Sequence, residues 1–183
     1  MKLIHYSNKE IKKLLENYHS ENFIKTMPMT KPIGFWVSVK GEDDWQSWCE
    51  KEGFRLDALK YQYEVKLKKN SNILYLKTIL DLKNFSEKYK SKSLMALEEN
   101  LEIENEKDKQ IIEEISSFAD KYFSDFISWN KLRLDYDGII ISPYQWDFRY
   151  TTWYYGWDCA SGCIWNINSI KEIKLIKVLD KIE

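Results

Sequence analysis

From Tyr61 to Lys68 the chain alternates without a break. Tyr61, Tyr63, Val65 and Leu67 are apolar or aromatic, and Gln62, Glu64, Lys66 and Lys68 between them are polar. A period of two sends successive side chains to opposite faces of an extended backbone. The stretch therefore predicts a strand with one buried face, which commits the chain to a sheet. Other segments supply neighbours for it. Lys2–Tyr6 and Asn72–Leu76 read as short strands, and Ile33–Val39 reads as another that Gly41 ends. Gly138–Ser142 is apolar and β-branched enough for a buried strand, and Gly162–Asn166 and Ile170–Val178 complete the set.

Helical spacing appears in between. Ser7 or Asn8 is placed to cap a helix with apolar positions Ile11, Leu14, Leu15 and Tyr18. Met27–Pro32 reads as a loop. Asp43 or Asp44 is placed to cap a short helix through Trp48 and Cys49. Leu80–Lys92 contains a further helix. Gln110–Lys131 predicts a long amphipathic one, with a stripe of Ile111, Ile115, Phe118, Ala119, Tyr122, Phe126 and Trp129. The Glu/Lys/Asn-rich segment Ser93–Lys109 is either an insertion or an exposed helix. The fold class is α+β, with a largely antiparallel sheet. A chain of 183 residues makes one domain, 1–183, carrying a charged helical insertion around 80–131.

Composition removes several classes of function. A net charge of -1 gives no general charge-driven grip on nucleic acid, although a local basic groove is compatible with it. Apolar runs such as Gly138–Ile141 are far too short to span a bilayer, so no membrane partner is expected. The charged stretch Asn8–Lys13 follows Met1–Ser7 directly, which is not the pattern of a secretory leader. Three cysteines without paired spacing point to a reducing, cytoplasmic setting. Neither G-x-G-x-x-G nor a Walker A sequence is present, so a dinucleotide is not bound in the Rossmann manner.

His5 and His19 are the only histidines, and with Cys49, Cys159 and Cys163 they form no metal-ligand spacing, so no metal is expected. Cys159 and Cys163 have no base beside them and read as inert core residues. Three constellations remain. His5-Tyr6-Ser7 lies where a strand hands over to a helix. There a histidine either serves the structure or donates to a sugar hydroxyl while its other nitrogen is held by backbone. Lys31-Pro32-Ile33-Gly34-Phe35-Trp36-Val37-Ser38 puts glycine and proline ahead of a strand, where backbone can approach a ligand closely. Trp36 adds a flat face and Ser38 a hydroxyl, and Trp45 and Trp48 share one face of the next helix. These tryptophans either form one core cluster or wall a pocket. The third constellation joins Tyr136-Asp137-Gly138-Ile139-Ile140 to Trp157-Asp158-Cys159-Ala160-Ser161-Gly162-Cys163-Ile164-Trp165-Asn166. Between them runs a loop too aromatic to be an idle connection; it either covers a core edge or lids a site for flat groups.

Taken in order, the three pieces resemble the ADP-ribosyltransferase-like superfamily of NAD-using toxins, RNA-modifying enzymes and poly-ADP-ribose polymerases. The resemblance implies a split, mostly antiparallel sheet with flanking helices. His5-Tyr6-Ser7 looks like the first-strand motif that meets a ribose. Phe35-Trp36-Val37-Ser38 looks like the second, and Cys163-Ile164-Trp165-Asn166 looks like the late strand. It implies NAD as the substrate, with His5, Tyr6, Ser7, Trp36, Ser38, Trp45 and Ser161 binding it and His5 and Asp158 as the catalytic pair. The family's catalytic Glu should fall near Ser161 or Gly162. Neither is acidic, and Asp158 is the nearest carboxylate. Asp158 is also placed to cap its own turn.

The expected function is transfer of ADP-ribose from NAD to a macromolecular acceptor, protein or nucleic acid. Three rivals stand beside it. The first is the same fold as a catalytically inactive binding or inhibitory module. The second is a single-stranded nucleic-acid binder that stacks bases on the tryptophans. The third is RNA 2'-phosphotransfer on the same fold, which wants more basic residues than Arg149 supplies.

Overall fold

A computed structural model describes residues 1–12, 31–91, 126–151 and 153–179, together with residues 110, 111, 113, 114 and 117. The strands are β1 (Leu3–Ser7), β2 (Phe35–Val39), β3 (Tyr61–Leu67), β4 (Ile73–Leu76), β5 (Lys90–Ser91), β6 (Phe126–Ile127), β7 (Gly138–Ile141), β8 (Ser161–Ile164) and β9 (Ile170–Val178). The helices are α1 (Trp45–Glu52), α2 (Ile79–Tyr89) and α3 (Trp129–Asp135). Seven strands form one sheet in the order β4-β7-β8-β2-β1-β3-β9, and β5 pairs with β6 apart from it.

The chain is thus α+β around a mostly antiparallel sheet. The sheet is mixed, because β4 and β7 run parallel with Ile73 opposite Gly138 and Leu76 opposite Ile141. Parallel neighbours need a long crossover, and the chain between them carries α2 and α3. Ile139, Ile140 and Ile141 are all buried, so β7 is covered on both faces. On one side the aromatic loop supplies Trp153, which packs edge-on against Trp129 of α3 and lies 5.0 Å from the Phe85 ring of α2. Its indole N–H donates to Ser86 Oγ at 2.8 Å.

The alternation of β3 survives with one exception. Tyr63 and Val65 are buried as expected, but so is Gln62 on the polar side. Its register partner is Tyr6, and the 3₁₀ turn Leu56–Leu59, with Ala58 and Leu59 buried, packs against β1 nearby. β9 is an edge strand, and its exposed lysines discourage further pairing.

The sequence-based boundaries need four corrections. The long helix expected over Gln110–Lys131 does not run through: residues 110, 111, 113, 114 and 117 are helical, but Phe126–Ile127 is extended. Phe126 pairs with Ser91, the Ser128 N–H donates to Tyr89 O, and a new helix starts at Trp129. Phe126, Ile127 and Trp129 are all buried, which a single helical stripe cannot achieve for adjacent positions. Its Ile115, Phe118, Ala119 and Tyr122 lie outside the described residues, as do Leu14, Leu15 and Tyr18 of the first predicted helix and all of Ser93–Lys109. Ser7 caps no helix; its hydroxyl donates to Lys9 O and accepts from Lys9 N. β2 begins at Phe35 rather than Ile33, and β8 begins at Ser161 and ends at Ile164. Last, Gly34 makes room for protein rather than ligand. A Cβ there would lie 2.7 Å from Cys163 Sγ and 2.8 Å from Ile164 O.

Candidate functional site

Strand register determines which side chains meet. Directly opposed residues of an antiparallel pair project from the same face. Tyr6 opposes Gln62, Ile4 opposes Ser38, Trp36 opposes Cys163, and Ser38 opposes Ser161. Ile4, Tyr6, Trp36, Ser38 and Ser161 therefore share one face of the sheet, and all five line a cavity of about 310 Å³. Trp45 of α1 closes one side, and Trp157, Asp158 and Cys159 close another.

The cavity sits where β1 and β2 part. Their ladder comprises Leu3 opposite Val39 and Ile4 opposite Ser38. One residue later the His5 ring takes over, with Nδ1 2.7 Å from Trp36 O. His5 belongs to the opposite face, where its ring stacks on Phe35 at 4.1 Å, although the residue is also among those bordering the cavity. Burial lowers its pKa from 6.5 to about 4, against the opposing pull of the Trp36 carbonyl. The ring is neutral at pH 7. A carbonyl can only accept, so the proton is on Nδ1 and Nε2 carries the acceptor lone pair. In this tautomer Nε2 can accept a hydrogen bond and cannot donate one.

Asp44 fixes the α1 wall. It is fully buried at the N-cap, accepts from Ser47 N at 2.8 Å and pairs with Lys40 at 2.7 Å. Burial opposes its ionisation, but Lys40 and the Ser47 and Gly41 donors together hold the carboxyl below its usual range. The Trp45 N–H donates to Ser38 Oγ at 2.8 Å, tying the helix start to β2. Trp45 stacks on Trp48 at 5.1 Å, and Phe54 meets both edge-on. Trp36 instead packs edge-on against Trp157 at 4.9 Å. Trp36 and Trp45 line the cavity, and Trp48 does not.

Asp158 is the one carboxylate among the described residues that line the cavity. It does not cap its turn: the Ala160 N–H donates to Asp43 O and the Ser161 hydroxyl donates to Cys159 O. The carboxylate faces Lys31 at 3.6 Å. Burial pushes its pKa above the usual range, and the lysine pulls it partly back. Nothing matches the chain among models of known protein families, curated proteins or solved structures. What the site can do must therefore be argued from its own atoms.

Seven of the eight residues expected at the site from sequence (His5, Tyr6, Trp36, Ser38, Trp45, Asp158 and Ser161) border this cavity, and Ser7 does not. Sequence reasoning gave no site role to Arg55 or Lys31, and placed Trp157 only at the end of the aromatic loop. Arg55 is one of only three arginines, and its φ of 46° is an uncommon backbone state for a residue with a Cβ. Cys159 and Cys163 are buried and their thiols are pushed up by burial, Cys159 to about 12, so neither is a ready nucleophile. Trp129, Trp153 and Trp165 are buried inside the protein. Among the described residues no helix is long and apolar enough to cross a membrane.

Two buried polar atoms of the lining, Tyr6 Oη and Trp157 Nε1, have no hydrogen-bond partner among the described residues. Burial, then the nearby Asp44, raises the Tyr6 pKa, so the phenol stays a donor. Leaving such a group unpaired costs about 1–3 kcal/mol. Tyr6→Phe is thus expected to keep stability or raise it by about 1 kcal/mol, while weakening binding of a polar ligand roughly tenfold. Thermal melts and tryptophan quenching by NAD measure the two effects separately.

Proposed function

We propose that the chain is an ADP-ribosyltransferase-like domain that cleaves NAD and transfers ADP-ribose to a macromolecule. One observation carries this reading. Tyr6, Trp36 and Ser38, from the first two motifs of the resemblance, share one face and one cavity with Ser161, which stands near the place of the family's Glu; that cavity opens where β1 and β2 part and holds a single carboxylate among the described residues. Its volume is at the lower end of small-molecule sites, a size for one ring and a sugar rather than the whole dinucleotide.

In this reading the nicotinamide ring lies against Trp36 and Trp157. Its carboxamide meets the unpaired donors of Tyr6 and Trp157. The ribose hydroxyls fall to Ser38 and Ser161. The bond between ribose C1 and the ring nitrogen breaks, its electron pair leaves with nicotinamide, and a positive charge develops on the sugar. Asp158 stabilises that charge, the largest contribution a fixed group makes in such a step. The acceptor nucleophile then bonds to C1 and loses its proton.

A second reading, an inactive binding or inhibitory module of the same fold, is favoured by Ser161 at the strand position and by the lysine already facing Asp158. Incubation with NAD separates the readings. Free nicotinamide is the expected product. Saturable quenching without nicotinamide selects the binding module, and neither signal at millimolar NAD removes both.

A further inference from the structure

The cation already inside the cavity is part of the protein. The Lys31 ammonium lies 3.6 Å from Asp158 Oδ2 and 5.5 Å from the centre of the Trp36 ring. An aromatic face and a carboxylate converging on one point make a site for a positive charge. The lysine stem runs close over Gly156: a Cβ there would lie 2.7 Å from Lys31 Cε, a contact that the flexible side chain would have to shift to relieve. Lys31, Trp36, Gly156 and Asp158 all line the cavity.

We infer that Lys31 is an internal competitor that sets which cations the cavity admits: a flat, positively charged ring binds by displacing its ammonium from between Trp36 and Asp158. The inference rests on the reading above for the identity of the ring, because the nicotinamide of NAD is cationic until its bond to ribose breaks. Displacement is feasible because the pair is weak. Its side chains are 35% and 29% exposed, and partly exposed ion pairs contribute little in water. The same contact discriminates against product. Once nicotinamide is neutral it has no claim on the carboxylate, and the lysine returns to it. Lys31 is therefore a specificity-determining residue, holding the charge site without touching the reacting bond.

The probe is nicotinamide methylated on its ring nitrogen, a cation that carries no ribose, with neutral nicotinamide as control. Lys31→Met keeps the stem against Gly156 and removes the charge; Lys31→Arg keeps the charge and serves as the blocked comparison. Binding is followed by tryptophan quenching and calorimetry. Lys31→Met should bind the methylated cation up to about fivefold tighter than wild type, with neutral nicotinamide changed little. Lys31→Arg should show no such gain. Equal cation affinity in wild type and Lys31→Met overturns the inference, as does an equal gain for neutral nicotinamide. Failure of the inference and failure of the NAD reading remain distinct. NAD cleavage by wild type without a gain in Lys31→Met overturns the role of Lys31 alone. A selective gain without NAD cleavage upholds it and removes the transferase.

Discussion

On the proposed reading, Asp158→Asn is expected to lower NAD cleavage by about a hundredfold or more, roughly 3 kcal/mol of transition-state stabilisation. Asparagine keeps the size of the side chain, and the turn does not depend on the carboxylate, since the Ala160 N–H goes to Asp43 O and the Ser161 hydroxyl to Cys159 O. Stability should therefore move by less than about 1 kcal/mol. What is lost is the negative charge, and it matters most when positive charge develops on the ribose. The wild-type rate should also fall as pH drops through the raised Asp158 pKa, and the variant should lack that limb. Nicotinamide release across a pH series measures both effects. A variant that cleaves NAD at the wild-type rate would show that Asp158 is a bystander.

The second large effect belongs to His5 and is one of stability. The unfolded chain protonates His5 near 6.5, the folded one only near 4. Between those values the unfolded state binds the extra proton, so the stability held above pH 6.5 is lost as pH falls, and the loss is complete near pH 4. The gap corresponds to about 3 kcal/mol. His5→Gln keeps a donor for the Trp36 carbonyl but does not titrate. Denaturant midpoints of the two proteins, compared from pH 7 to pH 4, isolate this contribution, because His19 and the carboxylates are common to both. Wild type should lose about 3 kcal/mol more than the variant over that range. Parallel stability curves would mean that the ring is not held neutral by its surroundings.

Periodicity and short motifs made much of this molecule legible. The alternation at Tyr61–Leu67 and the apolar run at Gly138–Ile141 each became a strand, and Asp44 became the cap of the helix it precedes. The approach of three distant motifs could be read only from their order along the chain. What failed was the long helix, because a run of buried apolar residues such as Phe126, Ile127 and Trp129 carries no single period. The role of Gly34 was misjudged as well. Its neighbours are Cys163 and Ile164, more than a hundred residues away, and no local pattern reveals them. The engagement of Asp158 by Lys31 is equally non-local, since it depends on the loop from Gly156 to Ala160 folding back over β2.

Within β8 the two candidate positions for a strand-borne acid are not equivalent. A Cβ on Gly162 would lie 2.5 Å from Ile139 O and 3.1 Å from Ile140 Cα, both backbone atoms of a buried strand. Any side chain there must push two sheet strands apart. Ser161 faces the cavity and already carries a side chain. A library that sets out to place an acid beside the cavity therefore has room at 161 and none at 162, and a descendant that acquired an acid at 162 would be recovered as a folding defect.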